Sequence, residues 1–581
     1  MYHQGVKKNI VQRPKGKKKS HLQGVGSVLE TIFSSRGVTE NAQLERTLAK
    51  LPSPWLLSGM ESMVKHLITA IEQQQKICIV ADFDADGATS CAVAIKGLEL
   101  LGAKKVCYVV PNRFEYGYGL TPEIVELVKQ QKPEIIITVD NGISSLDGVK
   151  VAKDFGIKVL ITDHHLPGEQ LPEADAIVNP NVKDDDFPSG NIAGVGVIFY
   201  VLMALRGRLR EQQWFVKQNI EQPNLAQLLD YVALGTVADV VALDQVNRIL
   251  VHQGLLRIRS GHAHPGILAL IEIAKKQATS IGASDLGFAL GPRLNAAGRM
   301  DDMSLGIHCL LTDDAQLAKD MAEQLDELNR DRKDIEAQMK DQAMSLLDQM
   351  HALDEKHLPA GVCLFEKYWH QGVIGILASR IKDRIHRPVV AFASADNGEI
   401  KGSARSIPGV HIRDVLCEIA AAHPQILQKF GGHAMAAGMS IQMHDYPVFA
   451  LAFDEVVGKH LDKVDLEQKV FSDGQLSEKE MTLEFTEQLN NAATWGQAFP
   501  EPVFDGVFDV IQCRIVGKQH LKFVLRFPMS ELLIDAIAFF VDNPENLLGV
   551  RAIKAVYKLD INEFRGNKSV QLMLQYFEKI T

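Results

Sequence analysis

Between Lys76 and Asn181 the chain alternates short, uninterrupted apolar runs with stretches of helical composition, and this alternation constrains its fold more than any other feature. The runs are Ile77–Ala81, Val106–Val110, Ile135–Val139 and Val159–Thr162; between them lie Ala88–Leu101, Thr121–Gln131, opened by a Thr-Pro pair, and Leu146–Phe155. A strand with one face in water alternates apolar and polar residues. A strand apolar throughout is covered on both faces, so these four predict a parallel sheet with helices on either side. Such sheets bind ligands outside the carboxyl ends of their strands.

The rest of the chain divides by pattern. From Thr312 and Asp313, either a possible N-cap, no Gly or Pro occurs until Pro359, and Leu317, Met321, Leu325, Leu328, Ile335, Met339, Leu346 and Met350 recur at helical spacing. One long amphipathic helix, about 60 Å at ~1.5 Å per residue, is predicted as a connector between two lobes; two bundle helices with an unmarked turn are the alternative. Val362–Phe365, Gly372–Ile381 and Val389–Ala393 begin a smaller α/β unit, and Val507–Cys513, Leu521–Phe527, Ala552–Asn562 and Val570–Tyr576 read as strands of a small β-barrel. The expected division is a basic N-terminal segment and lead-in (1–50), a catalytic domain (51–311), the connector helix (312–358), the smaller α/β domain (359–463) and the barrel (464–581).

The residues just past each strand of the first sheet carry the chemistry. They are Asp82-Phe83-Asp84-Ala85-Asp86-Gly87, then Pro111-Asn112-Arg113, then Asp140-Asn141-Gly142, then Asp163-His164-His165. One Asp at a strand end is commonly a helix N-cap or a turn former. Five acids and two histidines on one rim would repel and raise one another's pKa values unless positive charge sits among them. A pair of divalent cations supplies it: oxygen ligands from Asp84, Asp86 and Asp140 suit Mg²⁺ or Mn²⁺, and an imidazole such as His164 favours Mn²⁺, whereas zinc would bring more His or Cys. Two ions about 3.5–4 Å apart imply metal-assisted phosphoester hydrolysis.

These runs, followed by Gly235-Thr236-Val237-Ala238-Asp239-Val240-Val241, resemble the four motifs of the DHH phosphoesterase superfamily. The later blocks Leu290-Gly291-Pro292-Arg293-Leu294-Asn295-Ala296-Ala297-Gly298-Arg299-Met300, Lys401-Gly402-Ser403-Ala404-Arg405-Ser406 and Gly431-Gly432-His433-Ala434 are similar to those of its RecJ branch, bacterial single-strand-specific 5′ to 3′ DNA exonucleases. The resemblance implies a parallel-sheet DHH domain, a long helix, a smaller α/β DHHA1 domain and a C-terminal OB-fold barrel. It implies Asp84, Asp86, Asp140, His164 and Asp239 as metal ligands, with Asp140 bridging two ions. Asp82, Asp163 and His165 are implied as catalytic: Asp82 as a ligand or a supporting group, His165 near the scissile phosphate. In other branches of the superfamily a His precedes the middle Asp of the first motif by four residues; here that place holds Val80, which leaves the coordination of one ion open.

The resemblance further implies that Arg113, Ser403 and Arg405 hold a 5′-terminal phosphate and that Arg299 and His433 touch the backbone near the cut; guanidinium suits bidentate phosphate recognition. The expected substrate is single-stranded DNA with a 5′ phosphate, entering between the lobes and leaving as 5′-mononucleotides, in recombination and repair. The barrel would hold the strand, with Lys518, His520, Lys522, Lys558 and Lys568 as candidates. A helicase and a single-strand-binding protein are possible suppliers of substrate. Two alternatives stand: another phosphodiesterase of the superfamily acting on oligoribonucleotides or small nucleotides, and a non-catalytic DNA-binding scaffold. The later blocks and the barrel argue against the first, and the complete set of Asp and His ligands against the second.

Charge alone points elsewhere. The chain carries 62 Lys plus Arg against 72 Asp plus Glu, a formal −10, which would argue against a nucleic-acid partner if those acids were spread over the surface. Six of them instead cluster where cations are expected: Asp82, Asp84, Asp86, Asp140, Asp163 and Asp239. Seven scattered cysteines without a CxxC pair suggest reduced thiols and a cytoplasmic protein. The basic stretch of Lys7, Lys8, Arg13, Lys15, Lys17, Lys18 and Lys19 is followed by no apolar core, so no signal peptide is expected. The longest apolar run, Val195–Leu205, is too short to cross a membrane, and a monomer is expected.

Overall fold

The computed structural model describes residues 8–14, 16, 22–112, 116, 119–353, 359–427, 429–461 and 467–580. The chain forms two compact units: residues 14–329 with 487–502, and residues 1–13 with 330–486 and 503–581.

The first unit is built on a five-stranded parallel sheet in the order Val106–Val109, Ile77–Ala81, Ile135–Val139, Lys158–Thr162, Ala176–Val178. Every residue of Ile77–Ala81 and Ile135–Val139 is buried, as continuous apolar runs require. The fifth strand, three residues long, is too short to leave a signal in the sequence. Chain order reverses between the first strand and the third, a switch point that opens a crevice at their carboxyl ends. One face of the sheet is covered by Pro122–Gln130 and Leu146–Asp154, whose Ile124, Val125, Val128, Val149 and Ala152 join Cys78, Val80, Ile136, Val159 and Ile161 in one core. The 18-residue helix Gly194–Glu211 contains the run Val195–Leu205, buried almost throughout, and no helix among the described residues is long and apolar enough to cross a membrane. All seven cysteines are free.

Residues 487–502 fold onto this unit. Trp495 and Phe499 stack on each other and on Phe33, and the Arg248 guanidinium lies 4.2 Å from the centre of the Phe499 ring.

The helix expected beyond Thr312 is continuous from Ala315 to Leu353, and the division between the units falls within it. Its buried stripe differs from the expected one: Leu317 is 45% exposed, while Ala318, Ala322, Leu325, Asn329, Arg332, Met339, Ala343 and Leu347 are buried. Small side chains let neighbours approach the backbone, as where the Cys309 thiol donates to the Ala318 carbonyl, so size was a poor guide to the buried face.

The second unit holds a mixed sheet in the order Lys429–Gly432, Ala436–Gln442, Glu399–Arg405, Val389–Ser394, Val362–Phe365, with only the last pair parallel. Phe392, Phe449 and Phe453 centre its core. A closed barrel follows, formed by Phe504–Val516, His520–Arg526, Leu533–Ala538, Asn567–Ile580 and Ala552–Phe564. The strand Leu533–Ala538 escaped the sequence reading. Near the chain start, Asn9–Gln12 pairs in parallel with Lys469–Ser472.

Candidate active site

The site lies at the switch point of the parallel sheet. After Ala81 the chain turns into the helix Ala85–Leu100, and Asp84 caps it, its Oδ1 accepting from the Asp86 and Gly87 amides at 2.9 and 3.0 Å. Asp86, 1% exposed, points from the first turn of this helix to the start of Gly194–Glu211, where its two oxygens accept from the Gly194 and Val195 amides at 2.7 and 3.0 Å. A helix N-terminus thus holds that carboxylate in place.

Asp140 follows the third strand with a left-handed backbone, φ 62°, tolerated by Asp more readily than by most residues, and is 1% exposed. Gly142, φ 113°, completes the turn where a Cβ would lie 2.5 Å from Thr138 Oγ1. Asn141 ties the adjacent strand ends together, donating to the Val80 and Val139 carbonyls at 3.1 and 2.9 Å. At the end of the fourth strand Asp163 accepts from the Ile143, His164 and His165 amides and lies 2.7 Å from His165 Nδ1. His164 Nε2 stands 3.1 Å from Asp140 and 3.4 Å from Asp239, the residue that ends the helix Leu229–Ala238.

Electrostatics sets these carboxylates apart. Burial, then repulsion from Asp86 and Asp84, raises the pKa of both Asp140 and Asp239 well above the usual range; burial and Asp84 push Asp86 up to about 7. Asp163 is buried too, but its hydrogen bonds to His165 and to backbone amides outweigh burial and hold it low, while the same partner carries His165 upward against its own desolvation. The ligating atoms form three groups, each within 4.8 Å of one another: Asp82, Asp84 and Asp140; Asp86, His164 and Asp239; and Asp140, His164 and His165. Buried and half-buried carboxylate oxygens that repel one another, joined by one or two imidazoles in two of the groups, suit hard divalent cations.

All eight acidic and histidine residues singled out from the sequence in the first unit therefore converge. Arg299 ends the helix Gly291–Met300, whose Gly298 lies against the Phe83 carbonyl in the Asp82–Asp84 turn; any Cβ on Gly298 would collide with it. Arg113 lies outside the described residues. In the second unit Ser403 and Arg405 share one face of a strand, Arg405 Nη1 donating to Ser403 Oγ at 3.0 Å, and burial lowers the Arg405 pKa. His433 occupies the hairpin whose Ala436 pairs with Arg405, its amide donating to the Ala436 carbonyl at 2.8 Å. Among the barrel lysines, Lys522 is paired with Asp535 at 3.1 Å.

Four asparagines support the site: Asn141 and Asn295, which stand in the quoted motifs without a role and the second of which accepts from the Ala85 amide at 2.8 Å, and Asn179 and Asn181, which escaped the sequence reading and donate to the His165 and His164 carbonyls at 2.9 and 2.6 Å. The Asn179-Pro180-Asn181 run just past a strand was the available signal.

Comparison with known proteins agrees with this construction. Residues 76–236 match the DHH family, N-terminal domain, residues 358–459 the DHHA1 domain, and residues 472–576 the RecJ OB domain. The single-stranded-DNA-specific exonuclease RecJ of Salmonella typhimurium is 51% identical over 551 residues, 94% of this chain and 95% of that protein. Crystal structures of RecJ in complex with Mn²⁺ from Thermus thermophilus (27% identity, TM-score 0.79, 96% of this chain and 76% of that one) and of exonuclease RecJ bound to manganese (31% identity, TM-score 0.59, 71% and 98%) share the fold. An α/β DHH domain, a DHHA1 domain and an OB barrel in this order, with half the residues identical to that relative over nearly the whole chain, leave one conclusion: the chain belongs to the RecJ family of single-stranded-DNA-specific exonucleases.

Proposed function

We propose that the chain hydrolyses single-stranded DNA from its 5′ end, releasing 5′-mononucleotides, with two divalent ions held by Asp84, Asp86, Asp140, His164 and Asp239. The observation that carries this reading is the convergence of buried, mutually repelling carboxylates on one switch-point crevice. Asp140 shares ligand groups with Asp82 and Asp84 on one side and with His164 on the other, which suits it to bridge. Mn²⁺ is favoured over Mg²⁺ by the imidazole. Bound divalent ions lower the pKa of water and neutralise charge developing on the phosphoryl oxygens.

The protein's own groups do the positioning. Asp163 fixes the His165 ring through Nδ1, leaving its other nitrogen to the scissile phosphate from a side chain about one-third exposed (34%). Asp82 supports the ligands of one ion. Arg299, at the rim beside the Phe83 turn, holds the backbone near the cut with His433, while Arg113, Ser403 and Arg405 receive the terminal phosphate. In this reading residues 51–311 carry the chemistry, 312–358 link, 359–463 hold the end of the strand and 464–581 bind its continuation. The chain works in the cytoplasm as a monomer, in recombination and repair, on strands exposed by a helicase and shielded by a single-strand-binding protein.

A nuclease assay on single strands labelled at the 5′ or the 3′ end, with and without Mn²⁺, tests the core of the proposal. Immediate release of 5′-labelled mononucleotide and gradual shortening of the 3′-labelled strand, both dependent on metal, are expected. Initial release of the 3′ label would reverse the polarity, and cleavage in chelator would remove the ions from the mechanism.

A further inference from the structure

The second unit contains a basic cavity that the reaction above does not use. It measures about 380 Å³ and is lined by Lys8, Lys340, Arg380, Lys382, Arg384 and Lys469, with Asp383 as the one acid among the lining residues. This concentration of positive charge stands in a chain of net charge −10. The cations come from four stretches of sequence brought together by the fold. The parallel pairing of Asn9–Gln12 with Lys469–Ser472 sets Lys8 beside Lys469, the Asn9 amide donating to the Gln468 carbonyl at 2.7 Å. Lys340 belongs to the long helix, and Arg380, Lys382 and Arg384 to the helix Ile374–Ile385.

The ordinary explanation for basic residues at the end of a helix is its macrodipole, equivalent to about half a negative charge. Only three of the six cations, Arg380, Lys382 and Arg384, stand on that helix, so its dipole does not account for Lys8, Lys340 and Lys469. Arg380 is paired with Glu336 at 2.9 Å and Lys382 with Asp383 at 2.7 Å, but Lys340 and Arg384 have no ion-pair partner among the described residues. Burial lowers the Lys8 ammonium against the attraction of Asp383, and burial, then the charges of Arg387, Lys382 and Lys8, lowers His386. Of the apolar lining residues, Ile381 and Ile407 are buried and exposed Pro408 presents an apolar face. The cavity therefore offers several cations and one apolar surface in a volume at the small end of ligand sites.

We propose that this cavity is a second phosphate-binding site that accepts one nucleotide unit, its phosphate against Lys340 and Arg384 and its base against Pro408. It is distinct from the Ser403–Arg405 pair: a Cβ on Gly375, at the start of the Ile374–Ile385 helix, would lie 2.8 Å from Arg405 Nη2, whereas Arg384 is nine residues further on, about 14 Å along the axis. The nucleotide unit has two sources, an internal position of the bound strand or a free 5′-mononucleotide.

Binding measured in chelator, where nothing is cut, tests the site independently of hydrolysis. Full-length protein and the double variant Lys340→Glu/Arg384→Glu are titrated with labelled oligothymidylate over a range of salt, and separately with thymidine 5′-monophosphate by calorimetry. Lys104→Glu/Lys105→Glu, a reversal of two exposed charges in the other unit, controls for net charge. If the strand occupies the cavity, the slope of log K against log salt falls by about 1.4 for the cavity variant, two contacts at about 0.7 each, and not for the control. If a free nucleotide occupies it, monophosphate binding is lost in the cavity variant alone. Unchanged strand and monophosphate binding, or equal losses in the control, would overturn the proposal. Lys340→Gln/Arg384→Gln, which removes the cations without adding acid, must lose binding in the same direction for the assignment to stand.

Discussion

Asp163 and His165 are locked in a short hydrogen-bonded loop: Asp163 Oδ1 lies 2.7 Å from His165 Nδ1 and also accepts the His165 amide at 3.1 Å, while Oδ2 takes the Ile143 amide at 2.9 Å. With both oxygens used, the carboxylate stays ionised although it is 1% exposed, and its backbone bonds fix it as the acceptor that orients the imidazole. The pair is thus an orienting device within a cluster where burial and mutual repulsion push Asp86, Asp140 and Asp239 the other way.

Asp163→Asn should leave the fold and strand binding near normal but disorder the His165 ring, since an amide can present an N–H where Nδ1–H needs an acceptor. Loss of an orienting carboxylate behind a histidine costs up to about 10⁴ in turnover; a drop of roughly 10²–10⁴ in kcat with little change in KM is expected. Single-turnover and binding measurements on the same strand check it. A variant within twofold of the parent would show that the ring needs no support.

Gly194→Ala tests the proposed ligands without replacing one. A Cβ there would lie 2.7 Å from both Cβ and Oδ1 of Asp140, and the same residue's amide holds Asp86. Groups that support metal ligands typically affect affinity about 10–100-fold. The Mn²⁺ concentration for half-maximal activity should rise by that factor, with much of the rate recovered at saturating metal. Unchanged metal dependence would mean that Asp140 has room to move.

The sheet, the long helix and the cluster of aspartates and histidines were legible because each rests on a repeating or local pattern: buried parallel strands are apolar throughout, and their polar ends are read directly from the residue that follows. Less local features were hidden. Ala176–Val178 is three residues long, Asn181 reaches His164 from 17 residues away, and the buried stripe of the long helix runs through Ala318, Ala322 and Ala343 rather than through the larger Leu317 beside them. Residues 487–502 read as part of the barrel's approach by sequence order, yet their aromatic rings pack on Phe33 of the first unit.

That last packing yields a stability prediction. Phe499, 3% exposed, stacks on the Trp495 ring and contacts the Arg248 guanidinium, which also donates to the Leu243 and Gln43 carbonyls at 2.8 and 2.9 Å. Phe499→Ala should cost about 3–5 kcal/mol, and Arg248→Met about 1–3 kcal/mol by leaving carbonyls unsatisfied. The two residues touch, so their effects should be non-additive in a double-mutant cycle of urea unfolding. Strict additivity would show that the segment and Arg248 act separately.

Metal removal gives the sharpest test of the carboxylate cluster. Without cations, Asp140, Asp86 and Asp239 repel one another in a buried site, and each disfavours the ionised form of its neighbours. A divalent ion that binds only the folded chain stabilises it by RT ln(1 + [L]/Kd), about 2.7 kcal/mol at 100 times Kd, so adding Mn²⁺ should raise the melting temperature of the parent. Asp140→Asn is the informative variant because Asn tolerates the left-handed backbone at φ 62°, whereas Ala would add strain of its own. In chelator it should melt at or above the parent temperature, one member of the repelling cluster having been removed; in Mn²⁺ it should lose most of the shift and nearly all hydrolysis. Thermal melts of both proteins in chelator and in Mn²⁺ read the two effects separately. If Asp140→Asn melts below the parent in chelator yet keeps the full Mn²⁺ shift, Asp140 holds the turn together and does not hold the metal.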